Sequence, residues 1–132
     1  MTKTEPEAQL DEPRVLLVDD HDLFRAGLRN LLEEQGVQIV GECTNGTDAL
    51  RAVRELAPDV VVMDLNMPGL DGWMSMSLIK ARRPKLPVVV LTGDVGKDLE
   101  SRAKTAGAAG FLTKPCQPDA LIRTLKKATS RG

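Results

Sequence analysis

Five polar residues of types that can bind a cation or an anion lie at the ends of short apolar runs. They are Asp19, Asp20, Asp64, Thr92 and Lys114. Uninterrupted runs of this kind are typical of strands buried on both faces of a parallel sheet. If the runs are neighbouring strands, three carboxylates, a hydroxyl and an ammonium group converge at the carboxyl edge, where such sheets bind ligands.

The charges in this group indicate its chemistry. Two carboxylates about 4 Å apart repel by roughly 4 kcal/mol at an effective dielectric near 20, so three with one lysine require a cation. Oxygen ligands favour Mg²⁺, which uses one or two carboxylates and often reaches a phosphate as well. Lys114 and Thr92 can donate to a tetrahedral anion on the far side, and an aspartate can act as a covalent nucleophile. The group therefore predicts Mg²⁺-dependent phosphoryl chemistry.

The elements that must position these residues alternate along the chain. The predicted strands are 14–18, 37–40, 59–63, 87–91 and 109–113. The first predicted helix is capped by Asp22, the second opens at Asn45-Gly46, the third and fourth span 72–83 and 95–106, and the last begins at Pro118. This alternation predicts an α/β fold with a doubly wound, five-stranded parallel sheet in the order 2-1-3-4-5, the flavodoxin-like (βα)5 class.

Composition limits the functions open to the chain. Its 132 residues suffice for one domain, and 42% are hydrophobic. The longest runs of large apolar residues have four members, far below the ~18 that a membrane-spanning helix needs. The first residues contain no secretory signal, so we expect a cytoplasmic location and no membrane partner. The net charge of −1 argues against direct binding of nucleic acid by this chain.

Charge is distributed unevenly between the two ends. Residues 1–13 hold one lysine against four acidic residues, which predicts a flexible acidic tail before a folded domain over 14–129. Residues 97–132 hold eight lysines or arginines against three acids, and this basic gradient is either a partner surface or a solvated helix face. Residues 130–132 form a short C-terminal end, and we expect no output domain.

The two cysteines indicate a reducing compartment. Cys43 lies just beyond the second predicted strand and Cys116 follows the fifth. These strands lie at opposite edges of the predicted sheet, so a disulfide between the two thiols is geometrically excluded.

Four segments together resemble a known family. They resemble the receiver domain of two-component response regulators, of the CheY-like superfamily. The segments are Val15–His21, Pro58–Gly72, Val90–Gly93 and Gly107–Pro115. The resemblance covers about 14–129, with every motif in order and at matching spacing. It implies a signalling domain that catalyses only its own phosphorylation and dephosphorylation, rather than an enzyme acting on a separate substrate.

The resemblance implies a role for each residue at the strand ends. Asp64 would accept a phosphoryl group from a phosphohistidine on a sensor histidine kinase or a histidine phosphotransfer protein. Asp19, Asp20, the Asp64 carboxylate and the backbone carbonyl of Asn66 would hold Mg²⁺. Lys114 would pair with Asp64 at rest and with a phosphoryl oxygen afterwards.

The same resemblance implies a switch and a control on its lifetime. Thr92 would move its hydroxyl onto the phosphoryl group, and Phe111 would fill the space that Thr92 leaves. Many relatives carry Tyr at that position, and the missing hydroxyl makes exposure of Phe111 costly. Asn66 and Asp94 would tune the phosphoryl lifetime, because they flank the approach of the attacking water.

An output face is expected on the fourth helix, the fifth strand and the last helix. Its expected residues, which include four of the eight lysines or arginines of the basic gradient, are Arg102, Lys104, Phe111, Arg123 and Lys126. We expect this face to bind a downstream protein or a second copy of the chain.

Several other interpretations remain open from the sequence. Asp20–Leu28 resembles receivers that precede a helix-turn-helix, so the chain can equally be the receiver half of a DNA-binding regulator. A haloacid-dehalogenase-type phosphatase also uses a strand-end aspartate with Mg²⁺, but it needs a second acid where this chain has Asn66. A degenerate receiver that acts only as an interaction module, without being phosphorylated, would lack some of the expected site residues. All of them are present here. His21 is interpreted as a loop residue, and Trp73 as packing at the start of the third helix.

Overall fold

The computed structural model describes residues 13–67, 72–93, 96 and 98–130. Of the features predicted above, most of the acidic tail, Asp94 and the last two residues of the C-terminal end lie outside this part of the chain.

Five strands and five helices alternate within the described residues. The strands are β1 (Arg14–Val18), β2 (Gln38–Cys43), β3 (Val60–Met63), β4 (Val88–Thr92) and β5 (Gly110–Thr113). The helices are α1 (Asp22–Glu34), α2 (Gly46–Leu56), α3 (Gly72–Arg82), α4 (Leu99–Thr105) and α5 (Pro118–Thr129). All strand pairs are parallel and the order is β2-β1-β3-β4-β5, which confirms the predicted fold class.

The central strands are buried on both faces, as their sequences predicted. Successive side chains of a strand point to opposite faces, so each run supplies two cores. Leu16, Val61 and Val90 belong to the cluster that includes residues of α2, α3 and α4. Leu17 and Val62 belong to the other cluster, which includes residues of α1 and α5. Helices therefore cover the sheet on both sides and leave its carboxyl edge for the site.

The beginnings of the helices show which local signals the sequence carries. Asn45 caps α2 by accepting a 2.8 Å hydrogen bond from the amide of Asp48, and Pro118 is the first residue of α5, both as predicted. The expectation that Asp22 caps α1 was wrong. His21 is the N-cap residue, without a side-chain cap, and Asp22 is the first helical residue, where its charge favours the helix dipole.

The fourth helix is shorter than predicted. It spans Leu99–Thr105 instead of 95–106. Asp98 precedes it with φ = 66°, in the left-handed region, so the helix cannot continue back through this residue. Within the described residues, no helix has the length and apolar character needed to cross a membrane.

Candidate active site

Asp64 and Lys114 form the centre of the site. Asp64 follows β3, where its amide donates a 3.0 Å hydrogen bond to the carbonyl of Val18, and its side chain is 1% exposed. Lys114 follows β5 and places Nζ 2.9 Å from Asp64 Oδ2 and 2.7 Å from Asp19 Oδ2. One ammonium group thus joins the ends of three strands and neutralises part of the charge of two buried carboxylates.

The surroundings of Lys114 favour its charged form. Burial alone lowers the pKa of Lys114, but the hydrogen bonds to Asp19 and Asp64 outweigh burial and raise the pKa above its ordinary value. The ammonium also lies 4.3 Å from the centre of the Phe24 ring, a cation–π contact. Lys114 is therefore a permanent cation at this site over the physiological pH range.

The Asp64 carboxylate is held at both oxygens. Oδ2 accepts from Lys114, and Oδ1 accepts a 2.9 Å hydrogen bond from the backbone amide of Asn66. The Asn66 side chain is exposed. A buried carboxylate that is oriented in this way presents a fixed oxygen to an incoming electrophile.

Asp19 and Asp20 sit side by side at the end of β1. Asp19 is 5% exposed, and its Oδ1 accepts a 2.8 Å hydrogen bond from the amide of His21. Asp20 Oδ1 is buried and has no hydrogen-bond partner in the described part of the chain. A buried carboxylate oxygen without a partner is costly unless a cation binds it. This oxygen is the observation that fits the residues to Mg²⁺, whose preferred ligands are carboxylate and carbonyl oxygens.

His21 lies closer to the site than its interpretation as a loop residue suggested. Its Nδ1 is 3.0 Å from Asp19 Oδ1, 3.4 Å from Asp20 Oδ1 and 3.7 Å from Asp64 Oδ2, and its side chain is 59% exposed. Each of four residues offers one potential metal-ligand atom, and these atoms lie within 4.8 Å of one another. The four are Asp19, Asp20, His21 and Asp64. The sequence signal that could have placed His21 at the site was its position directly after Asp19 and Asp20.

Thr92 and Lys114 are brought together through the backbone. The amide of Lys114 donates a 2.8 Å hydrogen bond to the backbone carbonyl of Thr92. Thr92 itself is fully buried. Thr92 lies opposite Thr113 in the register of β4 and β5. The predicted hydroxyl donor is thus placed one strand away from Asp64. Asp94, predicted to tune the phosphoryl lifetime, lies outside the described residues.

A solvent-accessible cleft of about 420 Å³ opens onto the site. It is lined by His21, Phe24, Asp64, Asn66, Gly93 and Lys114. A larger cleft of about 620 Å³ lies beside α4 and β5, with Phe111, Leu99 and Lys104 among its lining residues. The site therefore has room for a tetrahedral anion, and the larger cleft borders the expected output face.

The predicted output-face residues differ in their exposure and in their contacts. Arg102, Lys104, Arg123 and Lys126 are exposed, and Phe111 is partly buried. The Arg102 guanidinium lies 4.8 Å from the centre of the Trp73 ring, so Trp73 joins α3 to α4. Lys104 Nζ forms a 3.0 Å ion pair with Glu100 on its own helix.

A comparison with protein families shows the family to which the chain belongs. The family model of the response regulator receiver domain matches residues 15–126. The chain belongs to the response regulator receiver domain family. This match confirms the resemblance drawn from the four sequence segments, and it places the chain among signalling domains of two-component systems.

Response regulators of known name are similar over most of this receiver domain. Response regulator GacA of Pseudomonas aeruginosa is 38% identical over 115 residues, which are 86% of this chain and 54% of the relative. Response regulator UvrY of Escherichia coli K12 is 38% identical over 117 residues, 88% of this chain and 54% of the relative. The chain thus spans about half the length of these curated relatives.

Solved structures agree with the family assignment. A LuxR-family two-component response regulator from Aurantimonas sp. SI85-9A1 has a TM-score of 0.84 and 34% identity, covering 89% of this chain and 85% of the other. The signal receiver domain of the putative response regulator NarL from Mycobacterium tuberculosis has a TM-score of 0.80 and 33% identity, covering 91% and 98%. The receiver fold therefore extends over nearly all of the described residues.

Proposed function

We propose that this receiver domain accepts a phosphoryl group on Asp64 from a phosphohistidine of a sensor histidine kinase or a histidine phosphotransfer protein. The observation that carries the proposal is the hydrogen bond between Lys114 Nζ and a buried, oriented Asp64 carboxylate at the base of an open cleft. The matches to receiver domains favour this function over the phosphatase alternative.

The chemical step needs little beyond positioning and charge. A carboxylate oxygen of Asp64 attacks the phosphorus, and an O–P bond forms while the N–P bond to the donor imidazole breaks. The electron pair of that bond goes to the imidazole nitrogen, which then takes up a proton. Lys114 stays protonated and transfers its hydrogen bond to a phosphoryl oxygen, and the Thr92 hydroxyl donates to another. Such donors stabilise the charge that develops in phosphoryl transfer.

Four groups would hold Mg²⁺. They are the side chains of Asp19, Asp20 and Asp64 and the backbone carbonyl of Asn66. The ion supplies neutralisation of the charge on the phosphoryl oxygens when it is bound. Two observations support this assignment: the donor set is rich in oxygen, and the buried Asp20 Oδ1 has no hydrogen-bond partner in the part of the chain that the structure describes.

The output of the domain is a protein-binding face. Phosphorylation would shift Thr92 and Phe111 and so change the face formed by Arg102, Lys104, Phe111, Arg123 and Lys126, which binds a downstream protein or a second copy.

A second candidate is the receiver half of a DNA-binding regulator. It is favoured by the share of the curated relatives that this chain covers, about half of their length, and by the similarity to RcsB from Salmonella enterica serovar Typhimurium, which was solved bound to promoter rprA. In either case the domain over 14–129 would act in the cytoplasm without contacting nucleic acid itself.

Phosphorylation of intact protein tests the proposal. With Mg²⁺ and a small phosphodonor such as acetyl phosphate, mass spectrometry should show one added phosphoryl group on the wild type and none on Asp64→Asn. Asp59→Asn is the matched control, because Asp59 is an exposed acid at the opposite end of the same strand. Labelling of the Asp64→Asn protein at the wild-type rate would place the acceptor elsewhere.

A further inference from the structure

We propose that Arg25, which is not a metal ligand, positions the Asp19–Asp20 pair and thereby sets the affinity of the site for Mg²⁺. This inference rests on the proposed function, because Mg²⁺ binding at these carboxylates belongs to that function. Arg25 is a positioning residue in this account, since its side chain reaches the backbone beside the site.

Arg25 makes three separate contacts with its three guanidinium nitrogens. Its Nη1 donates a 2.7 Å hydrogen bond to the backbone carbonyl of Asp19. Its Nε donates a 2.8 Å hydrogen bond to Glu42 Oε1, and its Nη2 lies 3.1 Å from Asp22 Oδ1. The side chain is only 14% exposed although it lies on a surface helix. One planar group thus joins α1, the loop after β1 and strand β2.

The contact with Asp19 fixes the peptide plane that leads to Asp20. Asp19 is the first residue beyond β1, and its amide still donates a 3.0 Å hydrogen bond to the carbonyl of Cys43. Its carbonyl is held on the other side by Arg25. Because a peptide unit is planar, fixing this carbonyl also fixes the amide and Cα of Asp20. The direction of the Asp20 carboxylate therefore depends on the Arg25 contact.

Glu42 holds Arg25 in place and balances its charge. It lies on β2 opposite Leu17 and accepts hydrogen bonds from both Arg25 and Arg29. Burial alone raises the pKa of Glu42, but these two hydrogen bonds outweigh burial and lower the pKa below its ordinary value, so Glu42 is ionised at neutral pH. The guanidinium is therefore part of an ion pair, and its main effect on the site is geometric.

Geometry and charge predict opposite effects when Arg25 is replaced. Removing a cation near the site strengthens Mg²⁺ binding through the Coulomb interaction, whereas removing a support for the aspartate pair weakens it. Arg25→Lys separates the two effects, because lysine keeps the charge but cannot make three planar contacts at once. Arg29→Gln is the matched control, since Arg29 shares Glu42 and carries the same charge.

The test is a titration of ¹⁵N-labelled full chain with MgCl2 at constant ionic strength, following the amide resonances of Asp20 and Asn66. We expect Arg25→Lys and Arg25→Gln to raise the Kd for Mg²⁺ about tenfold, the lower end of the range for residues that orient metal ligands. Arg29→Gln should stay within about twofold of the wild type, because Arg29 contacts Glu33 and Glu42 whereas Arg25 contacts Asp19.

The possible results separate this inference from the proposed function. If the wild type shows no Mg²⁺-dependent shift at these amides, the proposed function fails. If the wild type binds Mg²⁺ and Arg25→Lys binds it equally well, or Arg25→Gln binds it more tightly, the positioning role is overturned. Should the Arg25 variants not fold, Glu42→Gln serves instead, because it loosens Arg25 and leaves Asp19 untouched. A wild-type Kd in that variant would also overturn the inference.

Discussion

At the scale of single residues, the site is a balance between buried carboxylates and a few donors. Lys114 joins Asp19 and Asp64, and the Asn66 amide holds the second oxygen of Asp64. The sequence predicted the residue types because apolar runs end at them. It did not predict the positions of His21 and Arg25, since the direction of one side chain depends on packing between elements that are distant in sequence.

Glu42 offers a pH-dependent test of the network behind the site. Its pKa lies below the ordinary value of 4.5 in the folded protein, so its ion pairs stabilise the fold fully above that value. The stabilisation is lost as pH falls through the folded pKa. We expect Glu42→Gln to lower the free energy of unfolding by about 1 kcal/mol at pH 7, a modest value for a partly exposed pair.

Chemical denaturation of Glu42→Gln and wild type between pH 7 and pH 3 measures this effect. The difference in the free energy of unfolding should shrink as the pH falls below the ordinary pKa of 4.5, because protonation then favours the unfolded wild type until its folded carboxyl is neutral as well. Glu55→Gln, at an exposed acid of α2, should show a small difference at every pH. A difference for Glu42→Gln that stays constant down to pH 3 would mean that the ion pairs do not stabilise the fold.

At the scale of elements, α3 approaches the loop after β3 so closely that only glycine fits. A Cβ added at Gly72 would lie 2.3 Å from Leu65 Cα and 2.5 Å from the carbonyl oxygen of Asp64. These are backbone atoms, so the strain cannot be relieved by rotating a side chain. We expect Gly72→Ala to lower the free energy of unfolding by about 1–3 kcal/mol and to reduce phosphorylation of Asp64.

Gly27→Ala is the control for this prediction. Gly27 lies inside α1, and a Cβ there meets no atom of the described residues within 4 Å. Alanine is the better helix former, so this variant should raise the free energy of unfolding by roughly 0.5–1 kcal/mol and leave phosphorylation unchanged. Urea denaturation measures both variants. Equal stability of Gly72→Ala and wild type would show that α3 can move away from the loop without cost.

The element boundaries show where sequence patterns lose information. The central strands were predicted to within one residue because buried runs have sharp ends. β2 runs to Cys43 rather than ending at Val40, since an edge strand carries polar residues such as Glu42 and breaks the apolar run. The predicted start of α4 at residue 95 was wrong, because the hydrophobic pattern carries no signal of the left-handed backbone conformation of Asp98.

At the scale of the whole molecule, two apolar cores hold a sheet whose carboxyl edge carries unfavourable charge. The order of the strands could be predicted because a chain of alternating strands and helices has few right-handed arrangements. That order alone places Asp19, Asp64 and Lys114 together. Folding must therefore offset the repulsion between the carboxylates, and binding of a cation should stabilise the entire domain.

Mg²⁺ should raise the melting temperature of the intact chain for this reason. At ten times the Kd, a ligand that binds only the folded state adds about 1.4 kcal/mol to the free energy of unfolding. For a domain of this size that is a rise in Tm of roughly 4–8 °C. Asp20→Asn should abolish the rise, because it removes a carboxylate whose buried Oδ1 has no hydrogen-bond partner within the described part of the chain. Removing that repulsion should also make the metal-free Tm of Asp20→Asn equal to or higher than that of the wild type.

Differential scanning calorimetry in EDTA and in MgCl2, with NaCl added to equal ionic strength, distinguishes binding from general screening. Asp119→Asn changes the net charge equally at an exposed position on α5, so it should keep the full Mg²⁺ increment. An equal increment in wild type and Asp20→Asn would instead mean that the ion acts on the surface as a whole. Loss of the increment only in Asp20→Asn ties the stability of the whole fold to the Asp20 carboxylate, whose buried Oδ1 has no hydrogen-bond partner among the described residues.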